Sequence, residues 1–182
     1  MKKIVLIILL ISISLGIRAQ QILIANNARL SFFSKTVLED IEGKSETAVS
    51  VIDLKSREII FRVRNTSFQF KKKLMQEHFN ENYMESEKYP TSEFKGTIKE
   101  PIDLSKDGNQ KVTIEGNLNI HGVTKPYKTQ AEFTISKGTI TAKAVFKVRI
   151  ADHGIEIPTL VFKHIAEVLE VSILSTYKAK KP

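Results

Sequence analysis

After residue 20 the dominant period of the chain is two: its character changes at every second position. Val112, Ile114, Gly116, Leu118 and Ile120 alternate with Thr113, Glu115, Asn117 and Asn119, and Ile140, Ala142, Ala144, Phe146, Val148 and Ile150 alternate with Thr141, Lys143, Lys147 and Arg149. A period of two puts one set of side chains on each face of a β-strand. Shorter runs repeat the pattern: Ala28, Leu30 and Phe32; Ala48 to Leu54, with ambiguous register; Ile59, Phe61 and Val63; Phe94, Gly96 and Ile98; Ala131, Phe133 and Ile135; Leu169, Val171 and Ile173. That makes about eight strands, most with one apolar and one polar face, as in antiparallel sheets with one wet side. The stretches 53–58 (DLKSRE) and 136–138 (SKG) are short enough to make their neighbours hairpins, and the Asp-Gly of 105–109 (SKDGN) is a further turn signal.

About eight antiparallel strands must dispose of two edges. Closure into a barrel removes them, and an eight-stranded barrel is either filled by its side chains or holds one small ligand. A sandwich is the competing solution. One segment breaks the alternation: Leu74, Met75, His78, Phe79, Asn82 and Tyr83 fall at helical spacing, which predicts one amphipathic helix inserted near 71–84. A second short helix is expected near 158–169, where the period is unclear. The fold class is therefore all-β, an eight-stranded antiparallel barrel with a helical insertion. Gly96, Gly116, Ala131, Ala142 and Ala144 fall on the inner face. Small inward residues either leave a cavity or pair with large ones such as Phe133 and Phe146, and the pattern leaves both open.

The 182 residues suit a single domain over 20–182. Before it, Lys2 and Lys3 precede an apolar run from Ile4 to Ile17, too short for a comfortable membrane span, followed by Arg18 and Ala19. Residues 1–19 read as a secretory signal peptide cleaved near Ala19; an uncleaved anchor is the alternative, because Ile17 and Arg18 make an imperfect cleavage box. Export is expected, to the periplasm in a Gram-negative source and to the outside otherwise. The chain has no cysteine. That removes disulfides, thiol chemistry, thiolate metal sites and lipoprotein acylation, so stability has to come from burial. The net charge is +8, and residues 20–182 carry 25 basic against 20 acidic side chains, or +5. The charge is diffuse, with knots at Lys71–Lys73 and at Lys178, Lys180 and Lys181. Peripheral contact with an anionic membrane surface is possible; no basic helix or repeated stacking motif points to nucleic acid. Oligomeric state is not set by the sequence, and a dimer is possible.

Signals for catalysis are weak. His78, His121, His153 and His164 show no metal-ligand spacing, and there is no GxSxG elbow, P-loop or dinucleotide fingerprint. Glu115, Glu132 and Glu170 lie on polar faces and form no acid/base pair. His121 ends a strand before Gly122, where the ring would fix a turn; no partner is visible locally. No catalytic residue, metal or cofactor is expected.

Several stretches together resemble one family. The segment 114–127 (IEGNLNIHGVTKPY) is similar to the strand and turn G-x-L-x-(I/L)-H-G-V-T-K-P of the YceI-like family of exported lipid-binding barrels. Residues 85–96 (ESEKYPTSEFKG) resemble that family's Lys-Tyr-Pro and following Phe-containing strand, and 146–155 (FKVRIADHGI) its Arg-to-Gly-Ile strand and loop. More loosely, 27–35 (NARLSFFSK) and 41–44 (IEGK) fit its first strand and first turn. The chain departs from the pattern at Lys72-Lys73-Leu74, where members carry Arg-Asp before the Leu, and over 44–66, which lacks the usual Asp-rich, glycine-bearing strand start.

The resemblance implies a lipocalin-like barrel whose apolar tunnel holds an isoprenoid-type lipid, a polyprenyl chain or a quinone tail, without catalysis. The candidate walls are Phe61, Val63, Phe94, Ile114, Leu118, Ile120, Phe133, Phe146 and Val148. Phe68, Phe70, Leu74, Phe79 and Tyr83 are the candidate lid or mouth. Two other readings compete: a filled barrel acting through its basic surface or the loop 151–165 as an envelope interaction or stress module, and a hydrolase with polar groups converging inside, which the alternation argues against.

Overall fold

A computed structural model describes residues 22–35, 40–157 and 166–178. Eight antiparallel strands run in chain order around a closed barrel: β1 (Ile22–Ser34), β2 (Ile41–Asp53), β3 (Glu58–Arg64), β4 (Thr91–Ile98), β5 (Gly108–Ile120), β6 (Val123–Ser136), β7 (Thr139–Arg149) and β8 (Val168–Lys178), with β8 returning to pair with β1. Every alternating run of the sequence falls on one of them, except that Leu54 lies just past β2 and Ile150 opens a 3-10 turn (Ile150–His153) after β7, and the hairpins at 53–58 and 136–138 form as expected. Two boundaries differ. Ile41–Lys44, expected at the first turn, opens β2 and pairs with Ser31–Ser34. Likewise β1 reaches back to Ile22, which pairs with Asp53; the outward Ile22 and Ile24 are apolar and exposed, and this hides the alternation there. The expected signal peptide, the Lys180 and Lys181 tail, His164 and most of the expected helix at 158–169 lie outside the described residues; the end of that window, Val168 and Leu169, is strand.

The turn between β5 and β6 is two residues long. His121 and Gly122 both take positive φ, 52° and 74°, the geometry whose twist suits tight hairpins. His121 adopts it because its ring is held from a distance. Its Nε2 lies 2.7 Å from Glu85 Oε2, and the ring packs edge-on to Tyr89 at 4.5 Å. A Cβ on Gly122 would stand 2.6 Å from the Tyr89 ring. The motif is thus a clamp on the segment Glu85–Tyr89. Pro126 lies inside β6 opposite Asn117.

A proline is tolerated there because this half of β6 has one neighbour. The β6–β7 pairing runs only from Ala131↔Ala144 to Ser136↔Thr139, while β6 stays paired to β5 and β7 to β8 beyond it. Side chains close the resulting seam. Tyr127 packs against Phe146 and stacks on His153, whose Nδ1–H donates to the Val123 carbonyl (3.0 Å), leaving Nε2 to accept from Tyr127 (3.1 Å).

The insertion between β3 and β4 is not one helix. A 3-10 turn (Asn65–Ser67) leads to α1 (Lys73–His78), which continues as a π-helical turn (Phe79–Tyr83). Buried Asn65 clasps the two ends of the excursion: its amide donates to the Tyr89 carbonyl (2.6 Å) and its Oδ1 accepts from Ser92 (2.9 Å). Backbone hydrogen bonds between Lys44 and Gln69 tie the excursion to β2.

Two of the five small inward residues have a role other than making space. Gly96 faces Gly116 across β4 and β5. A Cβ on Gly116 would collide with the Lys95 carbonyl, and one on Gly96 would meet the Phe94 ring at 2.7 Å. The glycines let two backbones approach and let Phe94 lie flat on the sheet. Gly116→Val is therefore expected to lower stability by about 3 kcal/mol, since the obstacle is backbone that cannot turn aside; urea unfolding measures it.

Candidate ligand cavity

The barrel is packed at one end and hollow at the other. At the packed end Leu23, Ile52, Ile98, Phe133, Ile135, Ile140 and Tyr177 form a continuous buried core. Toward the helical end lies a cavity of about 480 Å³, a volume typical of small-ligand sites. Its walls are overwhelmingly apolar.

All fourteen residues singled out from the sequence lie on its lining. Phe61, Val63, Phe94, Ile114, Leu118, Ile120, Phe133, Phe146 and Val148 come from the barrel; Phe68, Phe70, Leu74, Phe79 and Tyr83 come from the excursion over its mouth. They are not equivalent. Phe133 has no exposed surface and belongs to the packed end, whereas Leu74 is 61% exposed on the rim. Ala131, Ala142 and Ala144 also line the space, so these three small residues do leave volume.

Several lining residues were missing from that set. Leu30 and Phe32 on β1 and Val171 and Ile173 on β8 show the same alternation and could have been added from it. Phe32 is central, lying within 5.4–5.8 Å of the rings of Phe68, Phe70 and Phe79. With Phe70–Phe79 at 5.0 Å, the four rings form an aromatic cover over the mouth. Phe32 can lie there because its neighbour is Gly43, where a Cβ would stand 2.5 Å from its ring. Met75, Met84, Ile150 and Ile155 complete that end; Met75 falls at the helical spacing and Ile150 ends the alternating run of 140–150, whereas no periodicity marks Met84 and Ile155.

Polar groups are few. Tyr177 donates to or accepts from Ser50 at 2.6 Å, and burial pushes its hydroxyl above the usual tyrosine range. Burial also raises Tyr127, helped by the charge of Asp152. His121 and Glu85 are absent from the lining; within that motif Ile114, Leu118, Ile120 and Tyr127 face the cavity, while His121 pairs with Glu85 and holds the turn. Among the described residues no group of three His, Asp or Glu side chains is placed to hold a metal.

Charge pairs lie on the outer surface. Burial raises Glu93, but hydrogen bonds from Lys95 and Arg62 outweigh it and hold the carboxyl below its ordinary range. Glu115 takes hydrogen bonds from Lys128 and Lys99 (each 2.8 Å), which lower its pKa to about 2 from an ordinary 4.5. A carboxylate depressed by folding stabilises fully above its unfolded pKa and loses that contribution as pH falls through the folded one. Urea midpoints should therefore drop between about pH 4.5 and 2, and Glu115→Gln should flatten that part of the curve.

A closed eight-stranded antiparallel barrel with an apolar interior space and an aromatic cover is of the class of barrels whose interior can take one small ligand. The particular family is set by the sequence: the model of the YceI-like domain matches residues 23–176, and the chain belongs to that family. No curated protein matches the sequence. A polyisoprenoid binding domain from Saccharophagus degradans, implicated in plant cell wall breakdown, has the same fold, with a TM-score of 0.75 at 17% identity over 88% of this chain and 99% of that one. BcnA of Burkholderia cenocepacia gives 0.67 at 15% identity, covering 82% and 95%. The YCEI protein of Campylobacter jejuni gives 0.62 at 18%, covering 81% and 90%.

Proposed function

We propose that this chain is an exported carrier that holds an isoprenoid-type lipid, a polyprenyl chain or quinone tail, in its barrel and acts by binding rather than catalysis. The observation that carries this is the apolar cavity of about 480 Å³ beneath a four-phenylalanine cover. A polyisoprenoid binding domain among the proteins of the same fold supports the ligand class. Burial supplies the affinity: each CH₂ taken from water contributes about 0.8 kcal/mol, so a few isoprene units bind with little polar help. The N-terminal segment supports export, to the periplasm in a Gram-negative source and otherwise to the outside. Calorimetric titration of residues 20–182 with farnesol and with a short-tailed quinone tests this. Saturable one-to-one binding with a negative heat-capacity change is expected; uptake of neither contradicts it.

A further inference from the structure

Strand β8 changes character along its inward face. Val171 and Ile173 are apolar, whereas Ser175 and Tyr177, next in the same register, carry hydroxyls. Both line the cavity, as does Ser50 of β2. All three are about 1% exposed. Tyr177 and Ser50 bond each other; Ser175 Oγ lies close enough to the Tyr177 hydroxyl to counter part of its burial-raised pKa, but their contact falls short of full hydrogen-bond geometry. Among the described residues it is the one buried side-chain polar atom with no hydrogen-bond partner.

A hydroxyl left unpaired in an interior is destabilising, and native folds rarely keep one. Three hydroxyls carry three protons, and the Ser50–Tyr177 contact uses one. The cluster therefore presents unspent donors to the space beside it. The buried residues grouped with Tyr177 on the inner face there, among them Ile59, Ala131, Phe133 and Ala142, are apolar. Lys143 lies between Ala142 and Ala144 on the outward register of β7. Lys143 borders the cavity but is itself exposed, so among the described residues no buried cation stands at this depth to meet a phosphate.

We infer that Ser175, Tyr177 and Ser50 form a hydrogen-bonding subsite at the deep end of the cavity for a neutral oxygen, a carbonyl or hydroxyl, on the inserted end of the ligand. The inference rests on the carrier reading above and specifies the chemistry of the ligand's buried end: oxygenated rather than plain hydrocarbon, and uncharged.

The test compares two C15 probes, the alcohol farnesol and the hydrocarbon farnesene, on residues 20–182 of the wild type, Ser175→Ala, Ser175→Thr and Tyr177→Phe. Ser175→Ala should weaken farnesol about tenfold and leave farnesene unchanged, with Ser175→Thr restoring the preference. Unliganded Ser175→Ala should melt at or above the wild-type temperature, since it deletes an unpaired polar atom. Tyr177→Phe should act in the same direction on farnesol. Equal changes for both probes, or no change for either, would overturn the subsite while leaving the carrier reading intact. Failure of the wild type to bind either probe would overturn both.

Discussion

Phe133→Ala is expected to lower unfolding free energy by about 3–5 kcal/mol, the range for deleting a buried aromatic side chain. Phe133 has no exposed surface and is held by Ile135, Ile140 and Tyr177 at the packed end of the barrel. Its removal opens a void among residues that the closed sheet prevents from collapsing inward. Phe146→Ala should behave differently. Phe146 is half-buried, faces the open cavity and packs against Tyr127 at the seam, so its loss should cost no more than about 2 kcal/mol. The sequence made these two phenylalanines interchangeable wall candidates. Urea midpoints for the pair, with unchanged slopes, distinguish the packed end from the hollow one.

Ala144→Phe should have the largest effect on binding. Ala144 lies on the cavity lining opposite Ala131, at the last paired rung of β6 and β7. A benzyl group placed there occupies room for about three or four CH₂ groups of a guest. At about 0.8 kcal/mol each, this corresponds to roughly 100-fold weaker binding of farnesol. Because the added ring enters existing space, the structural cost should stay near the low end of overpacking, about 1 kcal/mol. Titration of the variant, with circular dichroism showing a retained fold, checks both halves. Unchanged affinity would mean that the ligand does not pass this rung.

The inward face was legible because the barrel's outer wall is wet: wherever outward residues are charged, as at Glu115, Glu132 and Lys147, the alternation marks the wall. It fails where the outside is apolar, which hid the start of β1 at Ile22 and Ile24. Features that depend on two distant segments were not readable. The Glu85 partner of His121 is 36 residues away, and the close approach of Gly96 to Gly116 exists only once β4 and β5 pair. Helical spacing identified the excursion but could not show that α1 passes into a π-helical turn. The hydroxyl cluster escaped for a related reason. Ser175 and Tyr177 continue the inward register of Val171 and Ile173, but as polar residues they do not look like wall.

The central claim is that the barrel is a container. Native mass spectrometry of the protein purified from its own source, followed by organic extraction, tests it most directly. A bound mass that extracts as an isoprenoid lipid or quinone is the result expected. A ligand-free mass that stays unchanged after incubation with quinone or polyprenyl lipid would contradict it, and would direct attention to the charged outer surface around Lys125, Lys147 and Arg149.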